Sequence, residues 1–86
     1  MEMKVLEKRL ATASIFITDK EKVSIVNELL SSYSELIVSR MGMPYKDRGI
    51  SIIMLILDGS TDEIGAFTGK LGNIKGISVK SAMAKI

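Results

Sequence analysis

The segment Ile50-Ser-Ile-Ile-Met-Leu-Ile-Leu57 is apolar on both sides of its alternation, with Ile50, Ile52, Met54 and Ile56 on one side and Ile53, Leu55 and Leu57 on the other. It is bounded by Gly49 and by Asp58-Gly59, so it reads as a strand. Its longest unbroken apolar run, Ile52 to Leu57, is far too short to span a membrane as a helix. A strand with two apolar faces needs cover on both. In a two-layer fold the helices supply one cover. The other face meets a second chain or stays in water as an apolar patch. We assign Ile53, Leu55 and Leu57 as the side offered to a partner chain, which predicts a homodimer or homotetramer joined through sheet faces.

The segments around this strand complete a recognisable order. Residues 1–8 have no clear period and are expected to form a flexible arm. From Arg9 to Ile17 the pattern alternates, with Ala11, Ala13, Ile15 and Ile17 on one side, which predicts a first strand. Thr18 and Glu21 have the spacing of a capping box, and Val23, Val26, Leu29, Leu30 and Tyr33 then mark one face of a helix. Leu36 to Met43 reads as a second strand stopped by Pro44, with Pro44 to Gly49 as a polar connection. Ser60 and Glu63 repeat the capping-box spacing ahead of a second helix striped by Ile64, Phe67 and Leu71. Gly65 and Gly69 each cost this helix about 1 kcal/mol relative to Ala, and close packing on the sheet is expected to offset them. Asn73 to Gly76 is a turn and Ile77 to Met83 a last alternating strand. The order β, α, β, β, α, β with right-handed crossovers puts both helices on one face of a four-stranded antiparallel sheet. The fold class is α+β, a ferredoxin-like βαββαβ two-layer sandwich, and residues 9–86 form one domain.

A chain of 86 residues buries only roughly 60 to 65% of its unfolded surface. With no cysteine and no histidine, neither a disulfide nor a zinc site supplements that burial. Association is then the remaining source of stability. The net charge of +2 is too small to point to nucleic acid or an anionic membrane. Met1 to Arg9 is charged throughout, without the apolar core of a signal peptide, so a cytoplasmic location is expected.

The same two missing residue types remove most catalytic templates, because no imidazole or thiol is present for acid–base work, nucleophilic attack or soft-metal ligation at neutral pH. No enzyme activity, cofactor or metal is expected. Asp58, Asp62 and Glu63 gather at a helix start, where they read as capping carboxylates or as a hard-cation cluster; their spacing is not that of an EF-hand. Lys70, Lys75, Lys80 and Lys85 read as charge that guards an edge strand or as a phosphate strip. Arg40, Tyr45, Lys46 and Arg48 surround the proline turn and form the candidate ligand-binding set, suited to a carboxylate or phosphate. An unliganded basic hairpin is the alternative.

The stretches Glu35-Leu-Ile-Val-Ser-Arg-Met-Gly-Met-Pro-Tyr45, Gly49-Ile-Ser-Ile, Leu57-Asp-Gly-Ser-Thr-Asp-Glu63 and Thr68-Gly-Lys-Leu-Gly72 resemble, in order over about residues 9–84, the small regulators of the iron-only hydrogenase system. That family is similar to the ligand-binding C-terminal domain of nickel-responsive repressors and, more distantly, to ACT domains. The resemblance implies an oligomeric, ACT-like regulatory module that senses a small-molecule effector at subunit interfaces or engages a hydrogenase-related protein. An assembly subunit without a ligand is the alternative. Where a nickel repressor carries its second-strand histidines this chain has Gly42 and Pro44, and near the expected cysteine it has Ile50 and Ser51. A nickel site of that kind cannot form here. Eight residues ahead of the first strand are also too few for a ribbon-helix-helix, so direct DNA binding is not expected.

Overall fold

The computed structural model describes residues 8–84. Its elements run β1 (Lys8–Ile17), α1 (Val23–Ser32), β2 (Ile37–Tyr45), β3 (Ile50–Ser60), α2 (Thr61–Gly72) and β4 (Ile77–Met83). The strands form one antiparallel sheet in the order β2-β3-β1-β4. This is the βαββαβ sandwich that the alternation and the helical stripes predict. The arm expected at residues 1–8 lies outside the described residues except for Lys8, which opens β1.

One face of the sheet carries the core. Ala11, Ala13, Ile15 and Ile17 of β1 and Ile53, Leu55 and Leu57 of β3 pack against Val26 and Leu30 of α1 and Ile64, Phe67 and Leu71 of α2. Ile53, Leu55 and Leu57 are 6%, 1% and 0% exposed, and burial of each contributes about 1.5 to 3 kcal/mol. These three side chains therefore meet the helices and cannot form the partner-facing side assigned to them from sequence. Alternation alone leaves the two faces of β3 equivalent, and the helices select this one because its neighbours on β1 are the small and β-branched residues that fit beneath them. The aromatic pair Tyr33 and Phe67, with centroids 4.9 Å apart, ties the end of α1 to α2, and the Lys70 ammonium lies 5.2 Å from the Tyr33 ring centroid.

The second capping box forms as predicted: the Ser60 hydroxyl accepts from the Glu63 N–H at 3.1 Å, and the Glu63 carboxylate accepts from the Ser60 N–H at 2.9 Å. The first does not. Thr18 donates its hydroxyl to the Gly76 carbonyl at 3.0 Å, and Asp19 instead caps a 3-10 turn, Lys20–Lys22, by accepting from the Glu21 N–H. The Gly76 carbonyl also receives the backbone N–H groups of Thr18 and Asp19. This long-range contact claims the threonine that local spacing would assign to the helix.

Strand β2 starts after Leu36 and passes through Pro44 to Tyr45, two residues beyond the predicted stop. It is an edge strand, where a missing N–H need not break the ladder. The remaining connection is a 3-10 turn, Lys46–Arg48, closed by Gly49 in the left-handed region at φ 64°. Likewise β3 continues through Asp58 and Gly59 to Ser60, three residues past Leu57.

A Cβ added at Gly65 or Gly69 would meet nothing within 4 Å, so these glycines face open space and the expected close packing on the sheet is absent. Gly65→Ala and Gly69→Ala should each stabilise the chain by about 0.5 to 1 kcal/mol, the helix-propensity difference. Gly76 sits at φ 90°, and a methyl placed on its Cα would lie only 2.8 Å from the Asp19 Cβ. Gly76→Ala should therefore have the opposite effect, a loss of about 1 to 3 kcal/mol. Urea denaturation of the three variants checks both signs.

The Ser60 backbone N–H, then its hydroxyl, hold the Glu63 carboxyl below its ordinary pKa. A carboxyl depressed on folding adds stability above its unfolded value, and that contribution disappears as the pH falls through the folded value. Glu63→Gln should flatten the acid limb of a plot of Tm against pH while leaving the neutral-pH cap largely intact.

Candidate functional site

The face of the sheet away from the helices is open, and it is built by cross-strand rows. Across β2, β3, β1 and β4 these read Met43–Ile52–Phe16–Ser78, Met41–Met54–Ser14–Lys80 and Ser39–Ile56–Thr12–Ala82. Tyr45 and Ile50 extend the face at one end, and Asp58 with Leu10 at the other. Met41, Met43 and Ile56 are 67%, 51% and 46% exposed. The face is thus a contiguous exposed apolar patch, and its methionines are flexible side chains that adapt to irregular surroundings. Thr12, Ser39, Met41, Met54 and Ile56 line a groove of about 380 Å³ on it.

A β-bulge decides which β2 side chains belong to this face. Ile37 opposes Leu57 on the core side, Val38 is the extra residue, and pairing resumes with Ser39 opposite Ile56. Uninterrupted alternation from Ile37 would turn Ser39, Met41 and Met43 toward the helices. The extra residue inverts that order. It puts Met41, Met43 and Tyr45 on the open side and Arg40 on the helix side, opposite Leu55.

The four residues of the predicted ligand set are consequently separated into two places. Arg40 lies in mid-strand and donates from Nη2 to the Asn27 Oδ1 of α1 at 3.0 Å. Tyr45 sits at the far end of β2 on the open face, paired with Ile50, and Lys46 and Arg48 stand exposed on the turn that follows. Tyr45, Lys46 and Arg48 are thus neighbours at the hairpin tip, while Arg40 braces β2 against α1. No periodicity in the sequence signals the Arg40–Asn27 contact, because it joins elements whose relative placement depends on the bulge.

The other charged groups disperse too. Glu63 serves the helix cap, Asp58 points to the open face, and among the described residues no group of three or more acidic side chains gathers as a metal would require. Lys70 lies on α2 against Tyr33, Lys75 in the turn before β4, and Lys80 on the open face; Lys85 is outside the described residues. They do not form one strip. No helix among the described residues is long and apolar enough to cross a membrane.

Residues 9–81 match the family model described as "TM1266-like: Iron-only hydrogenase system regulator, putative". The chain belongs to this family. Its fold is similar to that of uncharacterized protein TM1266 from Thermotoga maritima, with 44% identity, 92% of this chain and 100% of that chain covered, and a TM-score of 0.86. A PII-like nitrogen regulatory protein from Thiomonas intermedia also aligns, at 13% identity over 95% of this chain and 100% of that chain with a TM-score of 0.49. No curated protein sequence matches. The family is named for regulation.

The Arg40–Asn27 bond is exposed, so Arg40→Ala and Asn27→Ala should each cost about 0.5 to 1 kcal/mol. The double variant should cost little more than either single change. Chemical denaturation through this cycle measures the coupling.

Proposed function

We propose that this member of the iron-only hydrogenase system regulators works as a non-catalytic, oligomeric, ACT-like module that binds an anionic small molecule at the β2–β3 hairpin. The observation that carries the regulatory part is the family match over residues 9–81. The hairpin supports the ligand part: Lys46 and Arg48 place two cations, with Asp47 between them, on a turn of only three residues that follows Tyr45. Two cations on one turn suit a phosphate or a dicarboxylate. Arg40 acts indirectly in this reading, by holding β2 on α1.

A second reading has the same basic tip dock on an acidic surface of a hydrogenase-related protein. Its support is that Lys46, Asp47 and Arg48 are all exposed at the turn, which favours a surface contact over an enclosed ligand.

Inorganic phosphate, adenine nucleotides and small dicarboxylates form the panel for a thermal-shift test. At least one should raise Tm, and the K46A/R48A variant should lose that rise while keeping its own unliganded Tm. A panel without any shift transfers the weight to docking, tested by whether purified hydrogenase or its maturation proteins retain the wild-type chain but not K46A/R48A.

A further inference from the structure

We propose that a second copy of this chain covers the open sheet face across a two-fold axis, with Lys80 of each chain over the partner's Asp58. This rests on the oligomeric part of the reading above and is independent of the ligand at the hairpin, so a silent ligand panel would leave it untouched.

Size is the first argument. Four strands about 4.8 Å apart and about eight residues of length between the Asp58 and Tyr45 ends give a footprint of about 20 by 25 Å. With side-chain relief added, that approaches the roughly 800 Å² that each partner buries in a stable protein interface. The face is therefore large enough for a specific dimer. Its apolar part, Phe16, Ile52, Met54 and Ile56 with Met41 and Met43 on the β2 edge, is flanked by polar groups along β4, at Ser78 and Lys80, and at the Asp58 end, and an interface likewise combines apolar area with polar margins.

Charge is the second argument, and it selects the occupant. Between the Asp58 and Tyr45 ends the open rows carry two charged side chains of opposite sign, Lys80 on β4 and Asp58 on β3, and one row beyond Asp58 the exposed Lys8 of β1 stands opposite Ser60. Within one chain Lys80 and Asp58 are two strands and about four residues apart, about 17 Å, so they cannot pair with each other. A two-fold axis converts every contact between i and j into a second contact between j and i. One diagonal axis over the centre of the face, near Met54 and Thr12, exchanges the two positions and sets each chain's Lys80 over its partner's Asp58. It crosses the strands of the two sheets steeply, which is the orthogonal mode of sheet packing. It also sets the groove lined by Thr12, Met41 and Met54 against its own copy.

Sedimentation analysis of wild type, Lys80→Glu, Asp58→Lys and the K80E/D58K double variant tests this, with circular dichroism to verify the fold. Wild type should be dimeric, and each single reversal should weaken self-association by about tenfold or more by creating two like-charge contacts. An equimolar mixture of the two single variants should dimerise again. In that mixed dimer the carboxylate introduced by K80E faces the ammonium introduced by D58K at one end, and the unchanged Lys80 and Asp58 face each other at the other end. The double variant should recover self-association as well. A monomeric wild type overturns the proposal, as would occupation of the face by another kind of partner in its place. Single variants that dimerise like wild type, or a mixture that stays monomeric, overturn the crosswise pairing.

Discussion

The rest of this structure depends on the burial of one face of β3 and β1 beneath two helices. Ile53, Leu55 and Leu57 lie beside Ala11, Ala13 and Ile15 with Phe67, Leu71, Val26 and Leu30 above them. Because strand side chains alternate with a period of two, this choice of inner face also determines the outer one. Ile52, Met54, Ile56 and Phe16 are outside because their neighbours are inside. The exposed apolar surface is thus a by-product of the core that a short chain needs.

The bulge at Val38 acts on the same surface from the edge. It costs β2 a regular ladder at one position, and in return two methionines and a tyrosine join the open face while an arginine turns to the helix side. Without it Ser39, Met41 and Met43 would face the helix side and the open face would carry less apolar area. The inversion both enlarges the open apolar face and anchors the edge strand on α1 through Asn27. Bulges that re-aim side chains near contact or ligand sites are a recognised use of this irregularity.

Long-range contacts account for the other departures from local expectation. Thr18 and Glu21 have the spacing of a capping box, yet the Gly76 carbonyl arrives from the far end of the chain with a free acceptor. Ser60 and Glu63 have the same spacing and no such competitor, so they cap. Gly65 and Gly69 suggest a packed small-residue face, but the sheet meets α2 through Ile64, Phe67 and Leu71 on its other side. The helix bears the propensity cost without a contact in this chain to offset it.

The sequence by itself determined the order of elements, the alternation of β1, the apolar stripes of both helices and the second capping box, since each follows from a period or spacing a few residues long. It also carried the family resemblance and excluded imidazole and thiol chemistry. Only the tertiary structure decided which face of β3 meets the helices and that β2 inverts at Val38. The same packing splits the basic set into a brace at Arg40 and a tip at Tyr45, Lys46 and Arg48. These outcomes depend on residues far apart in sequence, and both faces of β3 are locally equivalent until the neighbouring strand and helices are packed against one of them.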